Sequence, residues 1–124
     1  MARAYTSAIL TTPGGVAIGK AKTATVQTTS QLLQGLRVNV QGVVAGGEYA
    51  LVIDGTLVGT ATADNGGILR MKFVDPVKEG GRVPAIPDAI KPIALAHNVQ
   101  LYEVAGQHLV ASGAFTLNGG SSPK

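Results

Sequence analysis

The stretch from Glu48 to Val74, EYALVIDGTLVGTATADNGGILRMKFV, constrains the fold of this chain more than any other. Three β-type runs are joined there by two turn signals, Asp54-Gly55 and Asp64-Asn65-Gly66-Gly67. Asp-Gly and Asn-Gly supply the φ > 0 positions that tight hairpins require, so the segment predicts a three-stranded antiparallel meander. Tyr49, Leu51 and Ile53 share one face of the first run. Leu69, Met71 and Phe73 point inward in the third, against Arg70 and Lys72 outside, and such alternation sets strand register. Nothing in the segment is reactive.

The same grammar extends along the chain. Ala2 to Leu10 alternates weakly and ends at Thr11-Thr12-Pro13-Gly14-Gly15, which predicts a first strand or arm over residues 1–14. In Val16 to Val26, the residues Val16, Ile18, Ala24 and Val26 share a parity that Lys20 and Lys22 interrupt, so this strand is expected to be bent, at an edge or partly exposed. Leu36, Val38 and Val40 alternate with Arg37, Asn39 and Gln41, the pattern of a half-buried strand. Val99 to Val104 and Leu109 to Leu117 predict a closing hairpin. Between these blocks, residues 75–97 hold Asp75-Pro76, Gly80-Gly81, Pro84, Pro87 and Pro92, which excludes a long strand or helix. The apolar residues of that loop, Val83, Ile86, Ile90, Ile93 and Leu95, predict a lid over an open end of the core. Asn118 to Lys124 predicts a flexible tail.

These elements amount to one all-β domain over residues 15–117, an antiparallel β-sandwich or partly open barrel of about seven or eight strands. The chain of 124 residues suits a single core, and its 17 glycines and 14% charged residues suit short strands and tight turns. Having no cysteine, it is stabilised by packing and strand pairing without disulfides. The start of the chain lacks the apolar core of a signal peptide, and no run approaches the roughly 20 apolar residues of a membrane span.

Ten cations against seven anions give a net charge of +3, and in sequence the cations are dispersed. With three tyrosines and two phenylalanines, the chain offers a thin platform for single-stranded nucleic acid, so nucleic acid is not an expected partner.

The order Leu36-x-Val38-x-Val40, Gly46-Gly47-x-Tyr49-x-Leu51-x-Ile53-Asp54-Gly55, Val58-Gly59-Thr60, Ala63-Asp64-x-x-Gly67-x-Leu69, Val99-x-Leu101-x-Glu103-x-x-Gly106 and Ser112-Gly113 resembles poorly characterised β-rich modules of bacterial secreted and cell-surface proteins. The resemblance covers roughly residues 16–117. It implies a sandwich-like extracellular module and brings no catalytic residues.

Reactive chemistry is sparse. Asp54 and Asp75 stand beside Gly and Pro, Asp64 opens the Asp64-Asn65-Gly66-Gly67 turn, and all three read as turn residues that bond their own backbone. Asp64 and Asn65 are the weak calcium candidates, two oxygen donors where such a site needs six to eight. His97 and His108 lack a third metal ligand. Neither a G-x-S-x-G motif nor an acid-His pairing points to hydrolysis, and Gly14 to Lys20 lacks the spacing of a phosphate loop. Tyr5, Tyr49 and Tyr102 suggest a sugar-stacking platform, but Tyr49 shares parity with Leu51 and Ile53 and belongs to the core.

The sequence therefore leads to the expectation of a non-catalytic assembly subunit without a cofactor, an extracellular or cell-surface filament, sheath or coat protein. It would associate with copies of itself by β-strand addition, through an interface at Ala4, Tyr5, Ile9 and Leu10. The alternatives are a carbohydrate- or protein-binding module using Arg82, Pro84 and Asp88 of the 75–97 loop, and a virion coat or decoration protein.

Overall fold

Each alternating run becomes an extended strand in the computed structural model, which describes residues 2–75, 84–91 and 93–117. In chain order these are β1 (Ala2–Thr11), β2 (Ala17–Gln27), β3 (Leu32–Val40), β4 (Glu48–Ile53), β5 (Thr56–Thr62), β6 (Leu69–Asp75), β7 (Asn98–Glu103), β8 (His108–Ala114) and β9 (Thr116–Leu117). Eight of them form one antiparallel sheet in the spatial order β5-β4-β7-β8-β1-β2-β3-β6, and β9 pairs with β1. The sheet curls into a nearly closed barrel whose terminal strands are β5 and β6. Among the described residues the helical content is two 3₁₀ turns, Asp88–Ile90 and Ile93–Leu95.

The core follows the period-two pattern. Leu36, Val38 and Val40 of β3, Tyr49, Leu51 and Ile53 of β4, and Leu69, Met71 and Phe73 of β6 are all buried. Leu10, Val99, Leu101 and Ala111 join them from β1, β7 and β8. Burying one such aliphatic side chain contributes about 1.5–3 kcal/mol relative to leaving it in water.

The meander is only half present. Asp54 at φ 50° and Gly55 at φ 84° make the tight turn that pairs β4 with β5. The next turn does not continue the ladder: β6 pairs with β3, from Gln34↔Asp75 to Val40↔Leu69. Residues 43–47 bind that turn instead. Ala63 N–H donates to the Gly47 carbonyl at 2.9 Å, Gly46 N–H to the Ala63 carbonyl at 3.0 Å and Val43 N–H to the Gly67 carbonyl at 3.2 Å. The turn thus spans the opening between the two ends of the sheet. The Phe73 ring fills this seam so closely that a Cβ on Gly59 would lie 2.9 Å from it.

β2 is partly exposed, one of the expected outcomes, but it is not an edge strand. It lies inside the sheet, paired with β1 and β3, and it buries Ala21, Thr23 and Thr25 while Val16 is 61% exposed. Lys20 and Lys22 share the parity of Val16 and must reach water, and the cost of burying an amine outweighs the gain from burying a valine. Inside the barrel the Thr6 and Thr23 hydroxyls bond to one another, which offsets the cost of placing them there.

Residues 2–11, expected as a first strand or arm, form a strand in the middle of the sheet. β1 pairs with β2 from Ala2↔Gln27 to Thr11↔Ala17, and β8 and β9 flank its other edge. The Pro-Gly-Gly break is a hairpin, closed by Thr12 N–H on the Val16 carbonyl at 2.8 Å. β1 and β8 approach so closely that a Cβ on Gly113 would stand 2.3 Å from the Ile9 carbonyl oxygen.

The described part of the long loop packs as a lid over the end of the barrel where β3 begins. Ile86, Ile90, Ile93 and Ala96 are buried, whereas Leu95 is 67% exposed; Val83 lies outside the described residues. The Gln34 side chain holds the lid, accepting from Ile93 N–H at 2.6 Å and donating to Asp75 at 3.2 Å. The expected tail, residues 118–124, also lies outside the described residues.

Candidate anion-binding face

Strand alternation sends every second residue of β1, β2, β3 and β6 outward, and the register then decides which become neighbours. Lys22 pairs with Arg37, and Arg37 with Lys72, so three cations stand abreast on adjacent strands. Strands lie about 4.8 Å apart, which places the row within about 10 Å. In the next outward row, roughly 7 Å along the strands, Lys20 pairs with Asn39 and Asn39 with Arg70. Arg3 projects from the same face of β1 near one end. All six of these cations are exposed, and no outward position of the four strands carries Asp or Glu.

Nothing neutralises the row among the described residues. The ion pairs there join Lys91 to Asp75 and Asp88, and the His97 and His108 rings lie beside Asp54 and Glu103; none of these contacts involves Lys20, Lys22, Arg37, Arg70 or Lys72. Like charges placed directly opposite on neighbouring strands repel one another. The surface is also indented. A depression of about 480 Å³ is bordered by Tyr5, Lys22, Arg37 and Lys72 around Ala24 and Gly35, and another of about 850 Å³ runs past Ile9, Lys20 and Asn39. The sequence shows these cations as dispersed because their neighbours across the sheet are 15 and 35 positions away. Their shared outward parity was the available signal.

The expected site residues fall elsewhere. Of the proposed interface, Leu10 is fully buried, Ala4 lies on the same inward parity, and Tyr5 and Ile9 point outward, so the four do not form one surface. Asp64 closes its turn: its Oδ1 accepts from Gly66 N–H at 2.9 Å and Ile68 N–H at 3.0 Å. Those backbone donors, chiefly Ile68 and then Gly66, lower its carboxyl pKa, and Arg70 nearby adds to the effect. Asn65 is exposed at the tip of that turn. Among the described residues no three His, Cys, Asp or Glu side chains cluster as a metal site.

In the loop, Arg82 lies outside the described residues, and Pro84 uses its carbonyl to accept from Val74 N–H at 3.0 Å. Asp88 stands 2.7 Å from Lys91, which also reaches Asp75 at 3.0 Å. The hydrogen bond with Lys91 lowers the Asp88 pKa, and bonds to Asp88 and then Asp75 raise that of Lys91. Pro84, Asp88 and Lys91 thus fasten the lid. Tyr49 is buried with its hydroxyl accepting from Val44 N–H at 2.9 Å, Tyr102 stands on β7, and Tyr5 alone of the tyrosines borders the basic row.

The chain matches no protein-family model and no curated protein sequence.

Proposed function

We propose that this protein is a non-catalytic binding module that takes a polyanion, a chain of phosphate or sulfate esters, across the outer face of β1, β2, β3 and β6. The observation that carries this reading is the row Lys22, Arg37 and Lys72, which has no ion-paired carboxylate among the described residues and is flanked by Lys20 and Arg70. Stacking cations on one sheet face costs stability through repulsion, and a bound polyanion removes that cost while releasing its own counterions.

Titrating labelled polyanions, an oligonucleotide and a heparin fragment, at several salt concentrations tests it. Contact between the five cations and a single-stranded polyphosphate predicts a slope of log affinity against log salt of about −3 to −4. Replacing Lys22, Arg37 and Lys72 together by Gln reduces that slope by about 2. No binding of any polyanion at 20–50 mM salt would reject the reading.

One observation favours self-association as a second reading. The barrel is not closed by a ladder between β5 and β6, and Leu57 on β5 is 59% exposed. Strand addition between copies then uses the edge of β5, with β1 left in its place. Sedimentation of the full chain and of Leu57→Lys tests this, a monomer for both over the accessible concentration range counting against it.

A further inference from the structure

We infer that the ligand of the basic face is a single-stranded nucleic acid and that the depression beside the row receives one of its bases. The inference rests on the polyanion reading and adds to it a site for an uncharged ring.

Tyr5, Ala24, Gly35 and Val74 form the outward row next to Lys22, Arg37 and Lys72, paired strand by strand across the sheet. The row has a large aromatic at one end and two small residues in its centre. Gly35 is instructive here. Its φ is not positive, and a Cβ built on it would meet nothing within 4 Å, so neither backbone conformation nor crowding requires a glycine. Glycine weakens a strand, since it packs nothing and loses the most entropy on ordering. Its effect at this position is to leave a floor of bare backbone in a depression of about 480 Å³ whose border includes Tyr5 and three cations.

A flexible polyphosphate laid along Lys22, Arg37 and Lys72 brings whatever hangs from it over this floor. A planar base has a face for the Tyr5 ring and an edge narrow enough for bare backbone; a sulfated sugar is puckered and carries charges on its ring substituents. Base–aromatic stacking is sequence-tolerant, and on a positively charged groove it is the recurrent way to hold single strands. A duplex keeps its bases stacked inside and cannot offer one to a shallow depression.

The test is fluorescence anisotropy of the full chain with three probes: a twelve-residue oligothymidylate, an abasic deoxyribose-phosphate strand of equal length, and a heparin fragment. The oligothymidylate should bind about tenfold or more tightly than the abasic strand, the range that one stacked base supplies. Tyr5→Leu and Gly35→Val should each remove that advantage, while Tyr5→Phe retains it. Equal affinity for the two strands, with the expected salt dependence, would overturn the base site and leave the polyanion reading standing. Binding of heparin alone would overturn the nucleic-acid assignment. Binding of none of the three would remove both. Should Tyr5→Leu fail to fold, Gly35→Val carries the test, because a Cβ there meets nothing within 4 Å.

Discussion

The barrel has two halves that are alike inside and unlike outside. In β1, β2, β3 and β6 the inward residues form part of the common core, and the outward ones present Lys20, Lys22, Arg37, Arg70 and Lys72. In β5, β4, β7 and β8 the inward residues Tyr49, Leu51, Ile53, Val99 and Leu101 pack in the same way, yet the outward ladder of Thr60, Ala50 and Tyr102 carries no charge and the next one pairs Glu48 with Thr62. A barrel core asks only for apolar volume at alternate positions, and that demand is equal around the ring. The outer positions are free of it, so a segregation of charge there reports on something other than folding.

If the interiors are equivalent, Leu36→Ala in the basic half and Leu51→Ala in the other should each cost about 2–5 kcal/mol in urea unfolding. A large cost in only one half would break the comparison. The halves meet where β8 runs beside β1, and Gly113→Ala forces a methyl against the Ile9 carbonyl. A cost of about 1–3 kcal/mol is expected, with amide exchange rising first along β1 and β8.

The outer faces should behave oppositely to their interiors. Replacing Lys22, Arg37 and Lys72 by Gln, the substitution proposed above to weaken polyanion binding, should raise stability by about 0.2–1 kcal/mol for each opposed pair relieved. A loss of stability from that triple variant would show that the row serves the fold.

The smallest effect is expected at the lid, which belongs to neither face. Its Lys91 bridge should leave amide protection of residues 90–96 level through neutral pH. The lowered pKa of Asp88 makes its contribution full above the unfolded value near about pH 4 and lost as pH falls through the folded one. The raised pKa of Lys91 makes its contribution full below about pH 10 and lost as pH rises beyond that. Protection that falls between pH 6 and 8 would exclude the bridge as the fastening.

Much of the core was legible locally. Leu36, Val38 and Val40, and likewise Tyr49, Leu51 and Ile53, are buried as their alternation implies. The Asp54-Gly55 hairpin was legible too, because two residues there determine the backbone angles. β2 was misread because its aliphatic residues share a parity with Lys20 and Lys22, and the face was decided by pairing with Leu36 and Val38 of β3. The third strand of the meander was misplaced because a turn signal states that the chain reverses, not which strand lies beside it afterward.

By itself, then, the sequence determined that the chain is all-β, where it turns, and which residues of most strands face the core, since all of these follow from the two-residue period and from φ preferences of single residues. The tertiary structure alone decided that β1 lies in the middle of the sheet, that β5 and β6 end it, and that cations far apart along the chain stand in one row. Those are consequences of strand order and register, which depend on pairing between distant segments and leave no mark within any one of them.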